Sequence, residues 1–396
     1  MPRLSPFSAF RPEPSLANSV SASATDFASE AEMILDLKAN PDSYLYVTKS
    51  HLILADVTND PKSMFPFAAN FINRLKEEGK LVQDQNDSYY IYRQTLNGES
   101  HTGIVGLCDM IDYQEDRIKK HELTKPEREY FISNLIKTTN TIGEPLLMSH
   151  THKQSLEDLL RIMIIPDPDL SFDSHNCHHQ IWAINEPENL EKIAFEMESI
   201  SDYYIMDGHH RAASANNIYQ SDPSEKNRYV LSLVLDANQL KIKPFHRFIE
   251  GCSLPHEQLM EKLALNFEIT ETKDYVLHPE QQGDFVLKCC RGDFYLTTKK
   301  EMKGLDVSIL ENLVIKPIFQ IQDSRSDERI QFISDNEELQ LALTKLESPD
   351  NFLFLLHPCR FEDISHASDN KLVMPAKSTY VEPKCRSGLF LQEYGL

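Results

Sequence analysis

The stretch YYIMDGHHRAASA, residues 203–215, contains the change of pattern that decides the fold. The apolar run 203–206 predicts a short buried strand, and the alanine-rich segment 211–219 predicts a helix that SDPS brings to an end. The two histidines and the arginine that follow Gly208 are therefore expected in the first turn of a helix, directly after a strand.

The segments around this stretch alternate between strand and helix patterns. Residues 178–184 and 228–236 are apolar and predict strands, and residues 189–198 between them predict a helix. Such alternation is typical of an α/β core.

Two further elements are predicted upstream. Residues 63–82 have the apolar periodicity of an amphipathic helix that Gly79 ends. Residues 88–110 predict a hairpin that turns at Asn97-Gly98. The chain therefore combines helices with both hairpin and crossover strands.

Composition excludes several classes of function. The formal net charge is −21, from 40 Lys and Arg against 61 Asp and Glu, so a phosphate backbone would be repelled and nucleic acid is not an expected partner. A small anionic molecule is not excluded as a substrate if basic residues are concentrated in one cleft. The seven cysteines are irregularly spaced, which indicates reduced thiols. No apolar run reaches about 20 residues and no signal-peptide core is present, so no membrane contact and a cytoplasmic location are expected.

The residues Asp207 to Arg211 carry the first chemical signal. A helix N-terminus offers unpaired N–H groups to an anion, and His209, His210 and Arg211 add side-chain donors. Gly208 permits close approach to the backbone, and Asp207 is suited to cap the helix or to hold Mg²⁺. The alternative is a capped helix with satisfied histidines. Three residues that can carry positive charge oppose the helix dipole unless an anion or carboxylate is present, so we predict a phosphate site.

A second group lies in RIKKHELTKPERE, residues 117–129. His121-Glu122 resembles the start of a zinc-protease helix, but Lys125 stands where the second histidine is needed and Pro126 follows, so that reading is excluded. Glu122 beside His121 offers a general base near cations. The alternative is a solvated, charged face.

The third group is MPAKSTYVEPKCRSGLF, residues 374–390, in which two prolines disfavour a long helix. Its hydrogen-bond donors are expected on loop or extended chain, where binding residues are common, although an ordinary polar tail is an equal alternative. The candidate binding residues are Lys377, Ser378, Thr379, Lys384 and Arg386.

Other cofactor signals are weak. SFDSHNCHHQ, residues 171–180, holds three histidines and a cysteine, but they are spaced too closely for ordinary zinc geometry, which leaves metal a minor alternative. The sequence has no Walker loop, no dinucleotide GxGxxG and no protein-kinase signature set. Nicotinamide, flavin and haem are not expected.

Several motifs together resemble one family. DGHHRAASA, IKKHELTKPERE, YYIYRQ with HTGIVGL, LDVSILENLVIKPIFQI and MPAKSTYVEPKCRSGLF are similar to the bacterial and archaeal family long labelled domain of unknown function "ten-fifteen". The resemblance runs from FSAFRPEP to the last residues. One departure is that SASATDF stands where the family has a Pro-Tyr-Asp element, which leaves the role of Asp26 open.

The resemblance implies a fold and a domain plan. GHHR looks like the phosphate-binding turn of the ParB/sulfiredoxin-like fold, so a mixed α/β (α+β) protein is expected, with a ParB/sulfiredoxin-like core and large N- and C-terminal elaborations. One family-length domain, 1–396, is implied. Its expected parts are an N-terminal α/β part at 1–145, a core with the turn at 146–260, and a C-terminal part at 261–396.

The resemblance also implies an activity, because some family members resemble pyrophosphate-dependent free-serine kinases. The expected reaction transfers a phosphoryl group from pyrophosphate to L-serine, with Mg²⁺ as cofactor. His209, His210 and Arg211 would hold the donor, Glu122 would act on the serine hydroxyl, and Asp207 would engage the metal. Additional binding roles fall to His121, Gly208, Lys377, Ser378, Thr379, Lys384 and Arg386.

Alternatives to this activity stay open. The same turn suits a kinase or nucleotidase that uses ADP, ATP or CTP, and it suits a ParB-like regulator that binds a nucleotide without catalysis. A homo-oligomer is compatible with the sequence, which does not determine the donor, the acceptor or the metal.

Overall fold

The structure is a computed structural model that describes residues 1–27, 29–54, 63–272, 278–299, 304–334, 337–375 and 377–395. The chain forms two compact units. Unit 1 comprises Met1–Lys241 and Pro383–Leu396, and unit 2 comprises Ile242–Glu382. The C-terminal tail thus belongs to unit 1, although it follows unit 2 in the chain. These bounds differ from the three consecutive parts expected from the sequence, because a consecutive division cannot describe a returning tail. The single family-length domain stays a prediction.

Unit 1 contains most of the strands. They are β1 (Leu4–Ser5), β2 (Phe10–Pro12), β3 (Leu81–Gln83), β4 (Tyr89–Leu96), β5 (Glu99–Asp109), β6 (Ile118–Lys119), β7 (Thr141–Ile142), β8 (Leu146–His150), β9 (Leu170–Ser174), β10 (Cys177–Ile184), β11 (Tyr203–Asp207), β12 (Tyr229–Asp236) and, in the tail, β21 (Gln392–Glu393).

The helices of unit 1 lie between these strands. They are α1 (Ala17–Val20), α2 (Glu30–Ala39), α3 (Leu45–Thr48), α4 (Ser50–Leu54), α5 (Met64–Glu77), α6 (Met110–Gln114), α7 (Pro126–Thr139), α8 (Gln154–Met163), α9 (Pro187–Glu198) and α10 (His209–Ser221). Short 3-10 turns occur at Pro14–Leu16, Ala24–Asp26, Glu225–Asn227 and Ala237–Gln239.

The main sheet of unit 1 is mixed. Its strand order is β6-β11-β8-β12-β5-β4-β10-β9, with β1 paired to β5. β11 runs parallel to β6 and β12 runs parallel to β8, whereas the other pairs are antiparallel. The mixed α/β class expected from the sequence is confirmed.

The predicted hairpin is present as β4 and β5. Asn97 and Gly98 have φ values of 52° and 82°, the left-handed conformation that a two-residue hairpin turn needs. The predicted helix at 63–82 is shorter, since α5 ends at Glu77 and Leu81 begins β3. Gly79, at φ 68°, makes the change of direction.

The strand and helix of the opening stretch lie in the interior of unit 1. The first four residues of β11 are buried, as expected for a strand with neighbours on both sides. Ala212, Ala213 and Ala215 of α10 are also buried, and their small side chains let the helix backbone pack closely. The helix begins two residues before the alanine-rich segment, so both histidines belong to it.

The strands of unit 2 are β13 (Lys241–Lys243), β14 (Phe245–Ile249), β15 (Phe267–Thr272), β16 (Asp284–Cys289), β17 (Gly292–Thr298), β18 (Ile330–Ser334), β19 (Phe352–Leu356) and β20 (Tyr380–Glu382). Unit 2 has its own sheet, in the order β15-β17-β16-β19-β14-β18, with every pair antiparallel. Its core includes Phe267, Phe285 and Phe354. A separate two-stranded sheet joins β13 to β20.

The helices of unit 2 are short. A π-helical turn at Glu311–Ile315 joins two of them. Among the described residues, no helix has both the length and the apolar character that crossing a membrane requires. The helices are α11 (His256–Leu263), α12 (Asp306–Leu310), α13 (Lys316–Phe319), α14 (Glu337–Thr344) and α15 (Phe361–Asp369).

Candidate functional site

The turn between β11 and α10 requires glycine at position 208. Gly208 has φ 101°, a conformation that residues with a side chain rarely adopt. A Cβ atom there would also lie 2.8 Å from Arg211 Nε and 3.0 Å from Leu146 Cδ2. The missing side chain therefore makes room for the Arg211 guanidinium beside the backbone at the helix N-terminus.

Asp207 lies between two cations. Its Oδ2 accepts a hydrogen bond from Arg211 Nη2 at 2.5 Å, and its Oδ1 accepts one from Lys384 Nζ at 2.7 Å. Burial favours the neutral acid, but the charges of Lys384 and Arg211 outweigh it and hold the pKa of Asp207 well below its ordinary value. Two positive side chains thus share one carboxylate at the start of α10.

Glu144 is a site residue that the sequence did not single out. It stands two residues before β8, and its Oε1 lies 3.9 Å from Arg211 Nη1 and accepts a hydrogen bond from Ser387 Oγ at 3.2 Å. Its only sequence signal is a carboxylate next to glycine and proline at a strand start. That signal does not indicate which arginine it faces.

His209 and Glu122 lie close together. His209 Nδ1 lies 3.7 Å from Glu122 Oε2, and the His209 ring packs edge-on against His121, with centroids 4.5 Å apart. Burial lowers the pKa of His121 to about 4 and that of His209 well below its ordinary value, so both rings are neutral at pH 7. His209 therefore offers a hydrogen-bonding nitrogen rather than a positive charge.

The two buried rings keep unused polar atoms. Within the described part of the chain, His121 Nδ1 and His209 Nε2 have no hydrogen-bond partner. A buried polar atom left unpaired costs about 1–3 kcal/mol, so such atoms often mark a place where a ligand supplies the missing bond. The neutral pair can accept or donate a hydrogen bond without changing the local charge.

His210 has a different environment from His209. Its Nε2 accepts a hydrogen bond at 3.0 Å from the backbone N–H of Lys125, the residue that precedes α7. Burial lowers its pKa, and an accepting ring nitrogen is unprotonated. His210 in this state fastens α10 to the start of α7, and its predicted contact with phosphate stays a prediction.

Arg386 lies in a second ionic group of unit 1. Its Nη1 donates to Asp26 Oδ2 at 2.9 Å, its Nε donates to Ser21 Oγ at 3.0 Å, and its Nη2 donates to the Ser21 carbonyl at 2.5 Å. The side chain of Arg386 is only 4% exposed. The Asp26 carboxylate also accepts from the Ser23 N–H and lies 3.7 Å from His175 Nε2. The sequence left the role of Asp26 open, and in the structure this residue pairs with Arg386.

The predicted binding residues of the tail fall in both units. Lys384 and Arg386 belong to unit 1, whereas Lys377, Ser378 and Thr379 belong to unit 2. Lys377 Nζ lies 4.9 Å from the centre of the Phe245 ring, and Ser378 Oγ donates to the Pro375 carbonyl at 2.6 Å. Their predicted role in binding stays a prediction.

The histidine-rich stretch at 171–180 forms the hairpin of β9 and β10. Cys177 Sγ lies 3.9 Å from His179 Nδ1, which also lies 2.9 Å from the hydroxyl of Tyr92. Throughout the residues that the structure describes, no three His, Cys, Asp or Glu side chains are grouped as metal ligands.

Comparison with solved structures finds several similar chains, among them the following three. SbnI with C-terminal truncation from Staphylococcus aureus is 14% identical with a TM-score of 0.42, over 72% of this chain and 85% of that one. A free serine kinase in complex with AMP is 14% identical with a TM-score of 0.37, over 70% and 86%. A conserved hypothetical protein from Pyrococcus furiosus is 14% identical with a TM-score of 0.36, over 70% and 90%.

Comparison with sequences gives the family. A search of curated proteins finds no match. The family model described as "Protein of unknown function (DUF1015)" matches residues 4–314. This match covers more than half of the chain and confirms the resemblance drawn from the sequence motifs. The chain belongs to the DUF1015 family.

Proposed function

We propose that this protein is a phosphotransferase that moves a phosphoryl group from pyrophosphate to the hydroxyl of free L-serine, giving O-phosphoserine and phosphate. The observation that carries the proposal is the convergence of Arg211 and Lys384 on Asp207 at the N-terminus of α10.

The arrangement suits a donor with several charged oxygens. A phosphate can accept from a guanidinium and an ammonium group at the same time, and the first N–H groups of α10 add to the attraction. Phosphoryl transfer depends on positioning and charge neutralisation more than on covalent chemistry of the protein. Pyrophosphate needs these cations but no pocket for a base or ribose, which agrees with the lack of a nucleotide-binding motif in the sequence.

Glu122 is the proposed general base. Its carboxylate takes the proton of the serine hydroxyl, the hydroxyl oxygen attacks the terminal phosphorus, and the bond from that phosphorus to the bridging oxygen breaks to release phosphate. The neutral His209, 3.7 Å away, would orient Glu122 without neutralising it. The unpaired Nε2 of His209 is then available to a substrate oxygen.

Mg²⁺ is the proposed cofactor, and Asp207 is the residue that would hold it. Carboxylate oxygen is a ligand that Mg²⁺ prefers, but both oxygens of Asp207 accept bonds from cations, so one carboxylate alone offers little affinity. Such weak affinity would suffice for a Mg²⁺ ion that arrives already bound to pyrophosphate. The ion would neutralise part of the phosphate charge.

One assay tests the proposal. The full chain is incubated with L-serine, Mg²⁺ and either pyrophosphate, ADP, ATP or CTP, and the products are followed by ³¹P NMR. We expect phosphoserine with pyrophosphate only. Phosphoserine from a nucleotide alone would instead indicate a nucleotide-dependent kinase. Nucleotide hydrolysis without phosphoserine would indicate a nucleotidase, and nucleotide binding without turnover a ParB-like regulator.

Glu122→Gln tests the assignment of the base. The variant keeps the size of the side chain and removes the charge, so we expect turnover to fall by about 10²–10⁴-fold while pyrophosphate binds as well as to the wild type. Turnover is measured by the phosphoserine assay and binding by calorimetry. The control is Glu127→Gln, an exposed glutamate in the first turn of α7. Equal loss of binding and turnover would make Glu122 a ligand or structural partner rather than a base.

A further inference from the structure

Unit 1 contains a cavity of about 250 Å³ that the proposed reaction does not use. It is lined by residues of β4, β5, β8, β12 and α8. The lining residues that matter here are Arg93, Thr102, Ile104, Leu156, Leu160 and Val234. None of them contacts Asp207 or Arg211 in the hydrogen bonds and ion pairs of the described residues.

One part of the lining is apolar. Ile104 and Val234 pair directly across β5 and β12, and Leu156 and Leu160 lie one turn apart on α8. These four side chains are at most 8% exposed. They give the cavity a wall that favours the hydrocarbon part of a ligand.

The strand register puts polar groups in a row beside this wall. Arg93 on β4 is directly opposite Thr102 on β5 and directly opposite Gln180 on β10. Farther along the sheet, Asp236 on β12 is opposite His150 on β8. Because neighbours in a row point to the same face of the sheet, Arg93 and Thr102 lie at the same edge of the cavity.

The other charges of the lining are balanced. Asp236 accepts hydrogen bonds from His152 Nδ1 at 2.9 Å and from two backbone N–H groups. Arg161 pairs with Glu157 at 2.5 Å. The carboxylates of Asp236 and Glu157 therefore already have partners, and neither pairs with Arg93.

Arg93 has no carboxylate partner within the described ranges. Its Nε and Nη2 both donate to Gln180 Oε1, at 3.0 and 2.8 Å, and its guanidinium lies 4.9 Å from the centre of the Trp182 ring. Gln180 and Trp182 therefore fix the plane of the guanidinium but leave its charge uncompensated. A fixed guanidinium is a good receptor for a carboxylate.

We infer that this cavity binds a small monocarboxylate with an apolar body, whose carboxylate pairs with Arg93 and whose hydrocarbon part contacts Ile104, Leu160 and Val234. The volume is below the range of about 300–1,000 Å³ typical of drug-sized ligands, which favours a short aliphatic or single-ring acid. The inference does not depend on the proposed phosphotransferase activity.

Hexanoate is the probe for the test. Acetate keeps its charge without the apolar body, and 1-hexanol keeps the apolar body without the charge. Binding to the full chain is measured by calorimetry and by ligand-detected NMR. We expect hexanoate to bind at least about tenfold more tightly than either control, because both the charge-assisted bond and the apolar contact are needed.

Variants locate the binding. Arg93→Gln should weaken hexanoate binding by about tenfold or more, whereas Lys192→Gln, at an exposed cation of α9 outside the lining, should change it by less than about twofold. Ile164→Phe, which adds volume at the partly exposed end of α8, should also weaken binding and leave Arg93 intact. Melting temperatures verify that each variant is folded.

Three results would overturn the inference. They are no hexanoate binding at millimolar concentration, 1-hexanol binding as tightly as hexanoate, and unchanged binding in a folded Arg93→Gln variant. If Arg93→Gln does not fold, the Ile164→Phe variant and the comparison of hexanoate with acetate and 1-hexanol decide the question.

Discussion

Arg211 and Arg386 are both predicted to bind a ligand, but their surroundings differ. Arg386 is 4% exposed and donates three hydrogen bonds, to Asp26 and Ser21. The side chain of Arg211 is 16% exposed and shares the Asp207 carboxylate with Lys384. Arg386 is one buried cation paired with one carboxylate that is 15% exposed, whereas Arg211 is one of two cations at the Asp207 carboxylate.

The difference predicts a structural role for Arg386 and a binding role for Arg211. A buried guanidinium whose charge and three nitrogens are engaged inside the protein has little left for a ligand, and removing it takes the cation away from its carboxylate. Arg211 and Lys384 share the Asp207 carboxylate, and Glu144 lies only 3.9 Å from Arg211, so an anion would compete with these two carboxylates for the two cations. The following variants test this contrast.

The largest effect is expected for Arg386→Ala. Loss of one partner of a buried ion pair typically costs about 3–5 kcal/mol, so the free energy of unfolding should fall by that amount. Urea denaturation measures it, with Arg161→Ala at an exposed arginine as the control. A loss below about 1 kcal/mol would remove the distinction between the two arginines.

Arg211→Ala should act on turnover more than on stability. If its contact with the donor strengthens in the transition state, its loss is worth about 2–4 kcal/mol, which is about 30- to 1000-fold in rate. The phosphoserine assay and a melting curve on the same preparation measure both quantities, with the same Arg161→Ala control. A folded and fully active Arg211→Ala protein would contradict the phosphate site.

Gly208→Ala tests the space that the turn gives to Arg211. We expect a destabilisation of about 1–2 kcal/mol from the left-handed backbone and a loss of turnover, because the new Cβ would lie 2.8 Å from Arg211 Nε. Gly98→Ala is the matched control, since Gly98 has φ 82° and no atom within 4 Å of an added Cβ. The control should lose similar stability, measured by urea denaturation, and keep its activity. Equal activity of the two variants would show that the space is not needed.

The smallest effect concerns Asp207 and pH. Its pKa is lower in the folded chain than the unfolded value of about 3.9, so its stabilising contribution is complete above that value and is lost as the pH falls through the folded pKa. The side chain is 37% exposed, which limits the contribution to below about 1 kcal/mol. Asp207→Asn should therefore unfold more easily than the wild type at pH 7, with a difference that shrinks below pH 4. The control is Asp87→Asn, at an exposed aspartate, which should show no such difference from the wild type. A stability difference between Asp207→Asn and the wild type that grows on acidification would contradict the assignment.

The sequence by itself determined the local elements. The change from apolar residues to Gly208 and then to an alanine-rich segment predicted β11 and α10, and Asn97-Gly98 predicted the hairpin. These features depend on backbone preferences and periodicity within a few residues, which are visible without the rest of the chain. The donors of the turn could be predicted for the same reason.

Only the tertiary structure decided which groups meet. Lys384 reaches Asp207 across 177 positions of sequence, and Arg386 reaches Asp26 across 360. His210 faces the start of α7 while its neighbour His209 faces Glu122. A pattern shows that a side chain can donate or carry charge, but its burial and its partners are set by long-range packing. The same packing makes His209 neutral and joins the C-terminal tail to unit 1.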